Sequence, residues 1–284
     1  MQQAAKHLPV DEPSSPDAMH FYRHVLELFE SEGLPYLVGG AYAFQHYTGI
    51  TRPTKDLDLF VMKSDYEKIA QAVEKAGYRS DLTYPHWLAK IYSEDDFIDL
   101  IFNSGNGIAE VDATWFEHAP RVQVLGMEAK ISPIEEMIWS KAFIMERERY
   151  DGADIAHLLR TYGDRLDWPH LLARFGERWR VLLSHLTLFG FVYPLHRHLV
   201  PRWVMEDLLD KLRQEVMAPP PGDNVCQGTL LSREQYLTDV ELWGYRDGRV
   251  AAGTMSEEDT QRWTDAIPSR QDKGTGTEHR PNQP

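Results

Sequence analysis

The sequence predicts an α+β protein in which helices and strands mix first and helices alone follow. Three observations carry this. Residues up to Val124 alternate amphipathic helical stretches with short apolar strands, and after Lys130 the apolar spacing becomes helical. A Gly39-Gly40 pair and the alternating run Asp56-Leu57-Asp58-Leu59 interrupt the first part where strands should end and begin. With 284 residues, 42% of them hydrophobic, the chain is long enough to bury a substantial core.

Residues 1–15 are polar and rich in Pro and Ser, which reads as a flexible arm. Ser15-Pro16 then starts a helix with Phe21, Val25, Leu28 and Phe29 on one face, closed by Gly33. Tyr36–Val38 is a short strand running into Gly39-Gly40; Ala41–Tyr47 suits a helix and Gly49–Lys55 a loop. Asp56–Met62 alternates as a strand, and Ser64 precedes a helix over Asp65–Ala76. Strands are expected near Tyr78–Asp81, Trp87–Tyr92 and Phe97–Phe102. Ser132-Pro133-Ile134-Glu135 has the form of a capping box and opens a helix through about Glu148. Further helices cover Gly152–Tyr162, Trp168–Phe175, Val181–Phe191 and Arg202–Val216. Ser232–Trp243 is the last, with Ser232 and Gln235 as another capping box. From Gly248 the polar composition predicts disorder. The expected divisions are therefore an arm (1–15), a mixed core (16–128), a helical domain (129–247) and a disordered tail (248–284).

A formal net charge of −14 argues against non-specific nucleic-acid binding, although a local basic patch would serve a tRNA end. No stretch approaches the ~20 apolar residues of a spanning helix, so no membrane role is expected. The N-terminus lacks a basic-then-apolar leader, and a cytoplasmic location is the expectation. The single cysteine, Cys226, allows neither an internal disulfide nor a zinc cluster. His20 and His24 stand four apart on a helix but lack a third ligand, so packing is the plainer role.

The chemistry concentrates between Tyr36 and Phe102. Residues two apart on a strand share a face, so Asp56 and Asp58 project together while Leu57 and Leu59 enter the core. Paired carboxylates repel unless a cation lies between them, and hard oxygen donors suit Mg²⁺. Two ions ~3.5–4 Å apart clamp the attacking and leaving oxygens of an in-line displacement, which calls for a third carboxylate. Asp99 meets that need. It interrupts the apolar run Phe97–Phe102, where an unpartnered carboxylate would be costly; Asp112 is the alternative. Gly39 and Gly40, after a strand and before a helix, let backbone amides approach phosphate oxygens.

The Gly-Gly pair, the run Arg52-Pro53-Thr54-Lys55-Asp56-Leu57-Asp58-Leu59 and the later Asp99 together resemble the DNA polymerase beta-type nucleotidyltransferase superfamily. The resemblance covers Tyr36–Phe102, and it extends more weakly through Glu136–Leu159. There Lys141, Arg147 and Tyr150–Ile155 resemble bacterial stand-alone members, including the toxin-like branch of abortive-infection type IV systems. It implies a small mixed sheet followed by a helical domain that closes a nucleotide cleft. It also implies two Mg²⁺ ions on Asp56, Asp58 and Asp99 and a nucleoside triphosphate such as ATP held by Gly39, Gly40, Arg52, Thr54 and Lys141. A nucleoside monophosphate would pass to an acceptor hydroxyl on a small molecule, an RNA end or a protein. A toxin-like role would add an antitoxin partner. The competing expectations are a nucleotide-binding module without turnover and a phosphohydrolase using the same carboxylates.

Overall fold

The computed structural model describes residues 16–267. The expected arm lies outside that range. The first helix, α1 (Pro16–Glu32), buries Phe21, Tyr22, Val25, Leu26 and Phe29 along one face. Next come β1 (Leu37–Val38), α2 (Gly40–Thr48), β2 (Leu57–Phe60) and α3 (Tyr66–Lys75). Three consecutive strands follow: β3 (Arg79–Tyr84), β4 (Leu88–Ser93) and β5 (Asp96–Ile101). A short helix, α4 (Ala113–His118), and the ribbon of β6 (Arg121–Val124) and β7 (Met127–Lys130) complete the mixed unit.

Its sheet has five strands in the order β1-β2-β5-β4-β3. Only β2 and β5 run parallel; the other neighbours are antiparallel, which makes the sheet mixed. The β2–β5 register pairs Leu57 with Ile98, Asp58 with Asp99 and Leu59 with Leu100. Because side chains alternate, the four apolar residues of this set fall together into the core and the two aspartates point the other way.

Helices dominate the second part: α5 (Ile134–Ala142), α6 (Gly152–Tyr162), α7 (Trp168–Phe175), α8 (Trp179–Val192) and α9 (Arg202–Met217). One buried apolar core runs continuously from Ala18 through both parts to Leu230. No helix among the described residues is long and apolar enough to cross a membrane.

Several expectations need correction; the last helix, expected over Ser232–Trp243, is helical only over Leu237–Glu241. The helix opening at Ile134 ends at Ala142, not near Glu148. The Ala142 carbonyl lies 2.9 Å from Nε2 of His185, Phe143 turns into the core, and the charged run after it forms a loop. That helix also lacks its capping box: Glu135 instead accepts from the Asp167 amide at the start of α7. Finally, residues 248–267 of the expected disordered tail are folded. After β8 (Val225–Cys226), α10 (Leu237–Glu241) and β9 (Arg246–Asp247) come α11 (Gly248–Ala251) and α12 (Glu257–Asp265). The polar composition hid two devices. Ser256 caps α12 by accepting from the Asp259 amide, and buried Arg249 is bound by Asp247 and Thr264. Residues 268–284 lie outside the described range.

The two parts are also joined by charge. Arg174 on α7 gives both guanidinium ends to Asp112, at 2.7 and 2.9 Å, and reaches Glu136 on α5 at 2.9 and 3.0 Å. Nε2 of His170 lies 2.8 Å from the same Glu136 oxygen. Glu136 is completely buried, and these partners replace the water it lacks. Replacing Arg174 by Ala should therefore cost about 3–5 kcal/mol of stability, read from equilibrium denaturant unfolding. Arg174→Lys, which loses the two-pronged geometry, should recover only part of it.

Candidate active site

Asp56 sits at the bend just before β2, Asp58 on β2 and Asp99 directly beside it on β5. One carboxylate oxygen from each comes within 4.8 Å of the others, making them the metal-capable acidic group among the described residues. The crowding has a cost. Burial first, then the charges of Asp56 and Asp99, push the Asp58 carboxyl up to about 7, while Lys141 and Arg149 oppose the rise. Burial also raises Asp99, and Lys90 restrains it. An all-oxygen donor set whose members repel one another fits a hard divalent cation such as Mg²⁺.

Local geometry explains the surrounding sequence. Thr54 donates to the Asp56 carboxylate at 2.8 Å and to its carbonyl at 3.0 Å, fixing the entry to β2. Tyr22 donates to the Lys55 carbonyl at 3.3 Å from α1. At Gly40 the backbone is left-handed (φ +51°), and a β-carbon there would stand 1.8 Å from an Asp58 oxygen. Glycine is therefore required twice over, for conformation and for space. At Gly39 a β-carbon would meet the Phe60 ring at 2.3 Å, and its amide donates to the Asp58 carbonyl at 2.9 Å. Gly39 thus packs behind the site, while Gly40 lines the cleft.

A cavity of about 930 Å³ opens from the carboxylates, within the range of ligand sites. Lys141, at the end of α5, lines it with its ammonium held by Asp151 at 2.8 Å and Asp154 at 2.9 Å. Arg149 also lines it and bonds Asp151 through Nε and Nη2. Arg52 lies elsewhere. It stacks over Phe44 and pairs with Asp154 at 2.6 Å, so it reaches the site only through the carboxylate that grips Lys141. Asp112 is likewise away from the triad, capping α4 through the Thr114 amide and committed to Arg174.

Sequence reasoning missed Lys90. It faces Asp99 across the β4–β5 pair and donates to it at 2.6 Å, above the Phe97 ring. The available signal was a lone lysine in the apolar strand Leu88-Ala89-Lys90-Ile91, opposite the lone acid of Phe97–Phe102. The wall built from residues 229–234 and Trp263 was not foreseen, because the contacts that bring it to the cleft are distant in sequence.

Two outcomes follow. Asp58 holds its proton in the folded, cation-free protein where the unfolded chain, near the usual 3.8, has released it. Stability in chelator should therefore fall as pH rises from about 4 towards 7, and Mg²⁺ should offset the loss. Thermal melts across that range with and without Mg²⁺ measure this, and Asp58→Asn should flatten the chelator curve. Gly40→Ala should displace the Asp58 carboxylate and weaken Mg²⁺ binding at least about tenfold by calorimetry, an effect Gly33→Ala should lack.

The family model described as Uncharacterised nucleotidyltransferase matches residues 18–188. No curated protein matches the chain. Among solved structures, the antibiotic-resistance factor ANT(2'')-Ia is similar over 60% of this chain and 96% of its own, with 19% identity and a TM-score of 0.42. The lincosamide antibiotic adenylyltransferase LnuA, bound to lincomycin, aligns over 52% of this chain and 98% of its own at 16% identity and a TM-score of 0.36. An antigenic nucleotidyltransferase-like protein from Paracoccidioides brasiliensis aligns over 62% and 94% at 18% identity and a TM-score of 0.33. Because the family match spans more than half of the chain and includes every residue of the carboxylate cleft up to Arg149, this protein belongs to that nucleotidyltransferase family.

Proposed function

We propose that the protein transfers a nucleoside monophosphate from a magnesium-bound nucleoside triphosphate to an acceptor hydroxyl, releasing pyrophosphate. The observation that carries the reading is the register of β2 and β5, which sets Asp58 beside Asp99 and, with Asp56, gathers three carboxylates at the mouth of one cavity. Asp56 and Asp58 would hold two Mg²⁺ ions, with Asp99 sharing the ion nearer the acceptor. Bound Mg²⁺ supplies charge neutralisation and Lewis acidity at the α-phosphate.

The chain's own residues do the rest. Gly40, the first residue of the nine-residue α2, leaves room for the Asp58 carboxylate, and the helix N-terminus beside it offers partial positive charge to phosphate oxygens. Lys141 and Arg149, held by Asp151 and Asp154, face the side where negative charge grows on the leaving pyrophosphate. Arg52 and Thr54 act one step back, through Asp154 and Asp56 respectively. The acceptor oxygen bonds to the α-phosphorus as the bond to the bridging oxygen breaks. Asp99, which burial raises and the Lys90 hydrogen bond restrains, accepts the acceptor's proton.

Incubation with each of the four triphosphates, Mg²⁺ and a cell extract should release pyrophosphate. Asp58→Ala should lower that release by more than about 100-fold, since it removes a group shared by both ions. Nucleoside monophosphate without a modified acceptor would instead indicate hydrolysis. Failure to bind any triphosphate with Mg²⁺ present would defeat the proposal.

A further inference from the structure

The cleft is closed at one end by a part of the chain that the family match does not include. That match stops at residue 188, yet Thr229–Glu234 and Trp263 line the cavity together with the carboxylates. Two adjacent carbonyls fasten this strap to opposite walls. Leu230 accepts from the Asn106 side chain at 2.6 Å, on the loop after β5. Leu231 accepts from the Met145 amide at 3.0 Å, on the loop after α5. Glu146 binds both the Ser232 hydroxyl and the Arg233 amide, and Thr254 donates to the Asn106 carbonyl at 3.1 Å. Trp263 completes the closure from α12. Its ring is set edge-on among Tyr84, His86 and Trp87, and the Arg233 guanidinium lies 4.3 Å above it.

The position of the strap says which substrate it meets. The cationic side of the cavity, Lys141 and Arg149, faces Asp58. The strap is fastened to both walls, and its Asn106 anchor lies beyond Asp99, on the loop Asn103–Asn106 that follows Ile101 at the end of β5. On a strand rising about 3.3 Å per residue, Ile101 at the end of β5 stands roughly 7 Å past Asp99. The lining there is Ile101, Trp87, Trp263 and Leu230 with a few hydrogen-bonding groups, Ser104 and Asn106 among them. Glu146 is already spent on the strap, and Arg233 is stacked.

We propose that the strap builds the acceptor subsite, and that the acceptor is a hydroxyl-bearing small molecule with one apolar or ring face, not an RNA end or a protein. This rests on the nucleotidyl transfer proposed above and uses the same bond exchange, with pyrophosphate as the leaving group. A molecule of that kind lays its apolar face against Trp263 and Trp87 and turns its hydroxyl to Asp99. The bonds that Leu230 and Leu231 make to the two walls bound the subsite on that side.

The test uses the full chain, Mg²⁺, α-labelled triphosphates and three separate acceptor pools: an ultrafiltered metabolite extract, total RNA and total protein. Label on a metabolite is the expected result, and label on RNA or protein with pyrophosphate release overturns this inference alone. Pyrophosphate from no pool overturns the transfer reading and this inference with it. A second arm measures Mg²⁺-dependent binding of a non-hydrolysable ATP analogue by calorimetry. Arg233→Ala and Trp263→Ala should leave that affinity within about twofold while cutting metabolite labelling by about tenfold or more. Trp263→Phe, which keeps the aromatic packing, should retain most labelling. Tenfold weaker analogue binding in Arg233→Ala would mean that the strap holds the nucleotide, and would overturn the assignment.

Discussion

Two parallel strands lying in register force like charges together, and most of this molecule can be read as an answer to that. Pairing Leu57 with Ile98 and Leu59 with Leu100 seals four apolar side chains into the core. The same register obliges Asp58 and Asp99 to stand side by side on the opposite face. A slip of one residue would send aspartates into the core, so the apolar pattern that secures the fold also secures the electrostatic conflict. Every nearby feature then tempers the conflict: Lys90 on Asp99, Thr54 on Asp56, Lys141 and Arg149 across the cleft from Asp58.

Several of these groups reach the carboxylates through intermediates, which ties the mixed sheet to the helices. Arg52, just ahead of the Asp56 bend, pairs with Asp154 on α6, and Asp154 shares the Lys141 ammonium with Asp151. On the far side, Arg174 joins Asp112 to the buried Glu136. With one apolar core passing beneath both links, the helical part fixes where the cationic wall of the cleft stands.

Much of this was legible in the sequence where local rules govern. The Asp-Leu-Asp alternation announced a shared face, and the lone acid in Phe97–Phe102 announced a need for partners, because both depend on strand period alone. The strands of the first part and the helices after Lys130 followed from apolar spacing in the same way, and the mixed sheet from the family resemblance. What stayed hidden depends on contacts across long separations. Arg52 could not be paired from sequence, since its partner is 102 residues away. The fold of residues 248–267 escaped a compositional reading because its stability comes from a buried Arg249 network and from Trp263 docking on the β3–β4 turn, not from an apolar stripe. Capping patterns misled at Ser132, where Glu135 is claimed by another helix.

The strap's attachment through consecutive residues bears on turnover. Leu230 is bonded to one wall and Leu231 to the other, so the walls cannot separate without breaking one bond or straining the single peptide unit between them. Widening the cleft is thereby converted from a gradual breathing motion into a discrete event with its own barrier. Under the proposed transfer, product release past the strap would depend on how often that short span lets go.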